Sequence, residues 1–353
     1  MEMEEKKMLK NEIAVIGIGL AGETVAYEFQ KKNYPTYYIN GSAQDNNTLP
    51  GARNVMILEG YDGLAGNREL AYEALKKNLQ IIKKVNSIEQ KIIVCIASGG
   101  GTTGSGSIPY INDIIAENPD KIVVSVLLMP RRNEPIQKRL NAYNTAKELM
   151  EIEDSGAIIF VNNEAYTDLA NINTILVKML DAFFTDNSSS VGSNFDDSEK
   201  MKMLKEQGAF IIAMKSDRDS KTTTQDMIEA LTAKNIFLPV NADGIVGNIG
   251  VINQKGNRMN EHEIVKAVGI PENIFVGNNG NLNIVCVSGL GYPVEYISKL
   301  GETAVKEQKQ RLDKRKSISA LEDLNLEFEK PVEKPEKQSK RKRISLNLIR
   351  ELD

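Results

Sequence analysis

Ten consecutive residues, Ser98-Gly-Gly-Gly-Thr-Thr-Gly-Ser-Gly-Ser107, carry the clearest chemical signal in the chain. They follow the apolar run KIIVCIA (91–97) and precede an apolar helical stretch. Gly99, Gly100, Gly101, Gly104 and Gly106 are five glycines in eight residues, enough to turn several backbone N–H groups inward together. Thr102, Thr103 and Ser105 add hydroxyl donors. A nest of this kind, between a strand and a helix, suits a di- or triphosphate. No lysine follows the glycines, so it is not a Walker loop. A second glycine turn, Gly17-Ile-Gly19-Leu20-Ala21-Gly22, closes the run IAVIGI and opens a helix. Alone it fits a dinucleotide site, which calls for an acidic residue about 20 positions on for the ribose. The next strand ends instead in Asn40-Gly41-Ser42, which argues against NAD. A turn tightened only for packing stays open as the alternative.

A third set opens a helix further on: Asn194, Asp196 and Glu199 in GSNFDDSE (192–199). By themselves these residues read as an acidic helix start, capping the helix and satisfying its free N–H groups.

Composition narrows the remaining choices. The 353 residues leave room for two domains of roughly 150 each. With 41% hydrophobic and 26% charged residues the chain is globular. No apolar run approaches the ~18 residues of a membrane span, and nothing apolar precedes Ile13, so neither a membrane nor a secretory signal is expected. The default compartment is the cytoplasm. Cys95, Cys286 and His262 are the only residues of their types, which excludes a disulfide scaffold and zinc sites built from several Cys or His. His262, in the polar stretch NEHEI, reads as a surface residue, and both cysteines sit mid-strand as core. Net charge is −4, but Lys330–Asp353 holds eight basic and four acidic residues, leaving −8 on the rest. An acidic body argues against a nucleic-acid-binding core and leaves the basic tail as a charged contact.

These loops need a scaffold, and the chain supplies one. The runs 13–18, 36–39, 91–97, 121–128 and 157–161 are short, continuous and rich in Ile and Val, as strands buried on both faces of a parallel sheet are. Helical patterns lie between them, one over 68–85. The alternation predicts an α/β fold, a Rossmann-like doubly wound sheet. A helix over 171–184 and a second over about 197–207 flank a polar loop. Strand-like runs at 210–214, 244–252, 273–277 and 282–291, with helices near 224–234 and 260–268, indicate a smaller α+β domain. A charged helix follows over about 294–320. The expected division is 1–195, a nucleotide-binding domain; 196–208, a central helix; 209–292, the second domain; 293–328, a C-terminal helix; and 329–353, a basic disordered tail.

The motifs resemble, in order, those of the tubulin/FtsZ family. GGGTTGSGS is similar to the family signature GGGTGTG. GIGLAG looks like its first nucleotide loop, Asn40-Gly-Ser-Ala-Gln44 its second, and Gly63-Leu-Ala65-Gly66-Asn67-Arg68 its third (GAGGNP), which in the family sits by the γ-phosphate. PRRNEPIQKR (130–139) falls where the family places an acidic and a basic residue near the ribose, matched here by Glu134 and Arg139. Asn173 matches the residue that reads the guanine edge. Asn194, Asp196 and Glu199 fit the pattern N-x-D-x-x-E of the loop that closes on the next subunit. Leu20 and Ala21 depart from the glycines often found there, and Glu23 and Thr24 replace asparagine.

The resemblance implies GTP and GDP as ligands, Mg²⁺ as cofactor, and a GTPase activated by self-assembly. Asp196, Glu199 and Asn194 of one subunit would complete the site of another in a head-to-tail filament. The tail and the departures look most like the TubZ branch, whose members move plasmid or phage DNA through a small DNA-binding adaptor. Residues 330–353 would engage that adaptor, with no sequence-specific DNA contact and no membrane. The end of the chain, with Ile344, Leu348 and Leu352 four apart, suits a short helix formed on a partner groove. An FtsZ-like division scaffold and a Rossmann-type nucleotide-dependent enzyme are the alternatives.

Overall fold

The computed structural model describes residues 9–318 apart from 43, 45–47, 62, 63, 65, 187–194, 219, 220 and 240–244. Its described strands are β1 (Ile13–Ile18), β2 (Thr36–Asn40), β3 (Val55–Ile57), β4 (Ile92–Ser98), β5 (Ile122–Met129), β6 (Ala157–Asn162), β7 (Gly208–Lys215), β8 (Ile245–Gln254), β9 (Ile270–Gly280) and β10 (Asn283–Leu290). They join in one sheet, in the order β3-β2-β1-β4-β5-β6-β7-β10-β8-β9. The pairs from β3 through β6 are all parallel. Every residue of β1 is buried, as helices on both faces require.

The described helices are α1 (Gly19–Lys31), α2 (Glu69–Lys77), α3 (Leu79–Asn86), α4 (Thr103–Ala116), α5 (Ile136–Met150), α6 (Leu169–Thr185), α7 (Asp197–Lys205), α8 (Thr224–Thr232), α9 (Glu261–Val268) and α10 (Val294–Ile318). The predicted doubly wound α/β architecture is present. Among the described residues no helix is long and apolar enough to cross a membrane.

Three details differ from the sequence reading. The helix expected over 68–85 breaks at Asn78, whose buried side chain donates to the carbonyls of Ala74 and Glu59. Those bonds satisfy backbone that a continuous helix would have used differently. Strand β3 and helix α5 were not foreseen. The strands of the second half also extend the same sheet. Strand β7 joins β6 only at Ala157–Gly208 and Ile158–Ala209, then pairs antiparallel with β10, which pairs antiparallel with β8.

Strand order reverses between β1 and β4, so a crevice opens outside their carboxyl ends, where open parallel sheets take their ligands. The opposite edge of the sheet is marked by Leu9, just before β1, whose N–H donates to Asp197 Oδ2 at 3.0 Å. Six residues of β1 separate these edges by about 20 Å.

Candidate functional site

At the crevice lies a cavity of about 610 Å³. Of the residues singled out in the sequence, Gly19, Leu20, Ala21, Asn40, Gly101, Thr102, Thr103, Gly104 and Asn173 line it. The loops after β1 and β4 meet there at van der Waals limits. Gly19 has φ +68°, and a Cβ on it would lie 3.0 Å from the Gly104 nitrogen. A Cβ on Gly104 would lie 2.7 Å from the Ile18 carbonyl oxygen. Neither position admits a side chain without moving backbone.

This junction brings two helix starts into the cavity. Helix α1 begins after Ile18 and α4 after Thr102, and neither has a side-chain cap or an acidic residue in its first turn. The first N–H groups of both helices, with the positive ends of their dipoles, therefore remain available to an anion. Lys138 is the cation on the cavity wall among the described residues. Glu134 holds it at 3.0 Å. Asn40 is fixed from behind: its Nδ2 donates to the fully buried Glu23 at 2.8 Å.

The remaining predicted residues lie elsewhere. Gly17 and Gly22 sit behind the cavity, where α1 presses on β1 and on the carbonyl of Ile96. Gly99 and Gly100 run beneath α5 at Ala142 and Lys138, and Gly106 packs on the carbonyl of Arg68. The Ser105 hydroxyl donates to the Gly101 carbonyl inside its own turn. Gly66 and Asn67 form a turn in which the Asn67 N–H donates to the Leu64 carbonyl at 2.8 Å, and Leu64 lines the cavity. Ala65 and Asn194 lie outside the described residues.

Glu134 and Arg139 do not enter the cavity. Arg139 is buried against the C-terminal helix and pairs with Glu307 on α10. The two neighbours Lys138 and Arg139 point about 100° apart on α5, so only one of them can face the cavity. The signal for the right one was present: Lys138 stands four residues after Glu134, the spacing of a helical ion pair. Gly41, Ser42, Leu64 and Ser98, which lie in the predicted loops without having been singled out as site residues, also line the cavity, and so does Thr24.

Asp196 and Glu199 stand far from this cavity, at the opposite edge of the sheet. They form a capping box on α7: Asp196 Oδ1 accepts from the Ser198 N–H at 2.8 Å, and Glu199 Oε2 accepts from the Asp196 N–H at 3.0 Å. The hydrogen bond between the two side chains, then the backbone bond from Ser198, hold the Asp196 carboxyl below the usual range. Partial burial, then its contact with Asp196, push Glu199 up. Helix α6 spans the gap between the two places. Asn173 near its start lines the cavity, and Asp186 just past its end accepts from the buried Lys200 of α7 at its carbonyl.

A cavity walled by two bare helix starts at the crevice of a parallel sheet is the arrangement of an α/β protein whose site suits a phosphate group. Residues 12–171, which supply nearly all of that wall, match the family described as "Tubulin/FtsZ family, GTPase domain". This part of the chain is therefore a tubulin/FtsZ-family GTPase domain. The tubulin-like protein CetZ of Pyrococcus furiosus is 27% identical over 277 residues, covering 72% of this chain and 75% of its own. The structure of Clostridium botulinum phage c-st TubZ, truncated in its C-terminal tail, superposes with a TM-score of 0.75 at 22% identity. It covers 85% of this chain and 99% of its own. A GTPγS-form protofilament of Bacillus thuringiensis serovar israelensis TubZ matches with a TM-score of 0.70 at 15% identity, over 86% and 95% of the two chains.

Proposed function

We propose that the cavity binds GTP and GDP, and that hydrolysis is completed only when a second copy brings its α7 edge onto the cavity edge of the first. One observation carries this reading. The bare helix starts and the acidic pair occupy opposite edges of one sheet, so no single chain can bring its own carboxylates to its own cavity. A head-to-tail contact can, and because it is heterologous it propagates as a filament when its rotation does not close a ring. The protofilament in which the Bacillus thuringiensis relative was solved supports this arrangement.

In this reading the first turns of α1 and α4 take the phosphates, and Lys138 adds a charge contact. Asn173 contacts the base. Thr102 and Thr103 line the cavity, and hydroxyls of this kind suit the waters of a hydrated Mg²⁺ that would accompany the phosphates. The ion would offset triphosphate charge and polarise the γ-phosphoryl group. The capping box presents the Asp196 and Glu199 carboxylates at the α7 edge, where they would orient and polarise the attacking water of the neighbouring subunit's site. Asn194 would add a contact to that neighbour's nucleotide.

We also propose the division into nucleotide domain (1–195), central helix (196–208), second domain (209–292), C-terminal helix (293–328) and tail (329–353). The narrow β6–β7 junction favours it. The tail, outside the described residues, would engage a small DNA-binding adaptor, so that a cytoplasmic filament turning over GTP moves plasmid or phage DNA. Phosphate release per subunit tests the core of the reading. It should collapse on dilution below the concentration at which light scattering detects assembly. A rate per subunit that stays constant on dilution overturns it.

A further inference from the structure

The segment 64–68 brings Leu64 to the cavity wall, yet its own last residue turns away from it. Arg68 is 5% exposed and spends its guanidinium on two other elements. Its two terminal nitrogens pair with both carboxylate oxygens of Glu148 on α5, at 2.9 and 2.6 Å. One of them also donates to the Ser105 carbonyl of α4 at 2.7 Å and lies 3.3 Å from the Thr145 hydroxyl.

The Ser105 carbonyl has a reason to accept from outside its helix. Its ordinary donor would be the N–H four residues on, and that residue is Pro109. Proline has no N–H, so the first turn of α4 keeps an orphan carbonyl. Arg68 fills the vacancy, and the Thr145 hydroxyl lies 3.0 Å from the same oxygen. Helix α5 forms the other wall of this arrangement. Lys138, Asn141, Thr145 and Glu148 fall on one face at spacings of three, four and three. They reach in turn the cavity, the Gly101 carbonyl (3.3 Å), the Ser105 carbonyl and Arg68. Gly106 lets Arg68 come close, since a Cβ there would lie 2.2 Å from the Arg68 carbonyl oxygen.

We propose that Arg68 is a positioning residue for the phosphate end of the cavity. Anchored by Glu148, it clamps the turn at 64–67 to the first turn of α4 through the carbonyl that Pro109 leaves open. The inference rests on the reading of the cavity as a nucleotide site and goes beyond it. Arg68 touches no ligand. It fixes the spacing between the Leu64 wall and the N–H groups of Thr103 and Gly104. Lysine cannot replace it, because one ammonium cannot hold both carboxylate oxygens and the carbonyl in a planar fork.

The test is the affinity series GMP, GDP and GTPγS, measured by displacement of a fluorescent guanine nucleotide at protein concentrations too low for assembly. The variants are Arg68→Lys and the double variant Arg68→Leu/Glu148→Leu, which leaves no orphan charge and so keeps the fold. Melting temperatures are read beside them. The expected result is that GMP binds the double variant as it binds the parent, while the gain from GMP to GTPγS shrinks about tenfold, with Arg68→Lys close to the double variant. A merely structural Arg68 lowers the melting temperature and scales all three nucleotides alike, or leaves all three unchanged, and either result overturns the proposal. A parent chain that binds none of the three overturns the nucleotide reading itself, and the positioning role with it.

Discussion

The two edges of the sheet treat the start of a helix in opposite ways. At the cavity edge α1 and α4 begin without a side-chain cap and without an acidic residue in their first turns. At the other edge α7 begins with Asp196 and Glu199 closed on its own N–H groups. Both arrangements answer the same demand, since every helix starts with N–H groups that have no partner within it. The first leaves the demand to a ligand, and the second meets it internally. Helices α3 and α5 also start without a side-chain cap or a first-turn acid, so the pointer to an anion site is two bare starts meeting at one crevice, while a capped start displays carboxylates whose backbone work is already done. The cap positions are Ile18, which has no polar side chain, and Thr102, which makes no side-chain cap bond; Gly19 and Gly104 let the two starts meet.

The comparison breaks most completely at Gly104. Gly104→Val places branched carbon where even a Cβ would lie 2.7 Å from the Ile18 oxygen, prying the two helix starts apart. Nucleotide affinity should fall about a thousandfold or more, read by fluorescent GTP analogue titration, while circular dichroism retains the α/β signal. Next in size is the acidic edge. Glu199→Gln keeps a hydrogen-bonding partner for the capping box but removes the charge. GTP binding and assembly should persist while phosphate release per assembled subunit falls about a hundredfold. Wild-type turnover in Glu199→Gln filaments would remove this carboxylate from the chemistry.

What the sequence made legible follows the same physics. Strands β1, β4, β5 and β6 announced themselves because burial on both faces allows only continuous apolar runs. The glycine turns were legible because backbone approach to a ligand leaves few other residues usable. Strand β3 was not, as Val55-Met-Ile57 is three residues long and only partly covered. Helix α5 escaped because its buried face is partly polar: Arg139, Asn141 and Thr145 are all covered. An apolar stripe at helical spacing was the signal sought, and this helix buries hydrogen-bonding groups instead. The same gap misplaced the cation. Arg139 was the match to the family's basic position, but the α5 rotation that turns it to Glu307 and turns Lys138 to the cavity is visible only once the helix is known.

Lys138 sharpens the cavity side of the comparison. If bare N–H groups carry most of the phosphate binding, one partly exposed ammonium held by Glu134 supplies a smaller share. Lys138→Met should weaken GTPγS binding roughly tenfold at low salt, with the deficit narrowing as ionic strength rises and shortens the reach of exposed charges. Isothermal titration at two salt concentrations checks both the size and the trend. A deficit that grows with salt would mean that Lys138 acts through packing.

The smallest expected effect concerns the capped edge alone. Asp196→Ala removes the side-chain acceptor at the start of α7 and should cost about 1 kcal/mol at neutral pH, the usual worth of an N-cap. Because the folded protein holds the Asp196 carboxyl below its ordinary value, the charged cap favours folding at every pH above that ordinary value. That contribution is lost as pH falls through the lowered folded value, so the stability gap between parent and Asp196→Ala should close on acidification. Glu199 works the other way. Its raised value means that its charge is mildly disfavoured in the folded state, so protonating it relieves a cost at a higher pH than the one where Asp196 is lost. The parent should therefore hold level, or gain slightly, before it falls. Asp196→Asn keeps a capping side chain without a titrating group, and its gap to Asp196→Ala should stay flat across the same range. Denaturant melts of the three proteins from pH 7 to pH 3 separate these cases. A gap to Asp196→Ala that opens with acid, in place of closing, would mean that Asp196 is not charged when it caps α7.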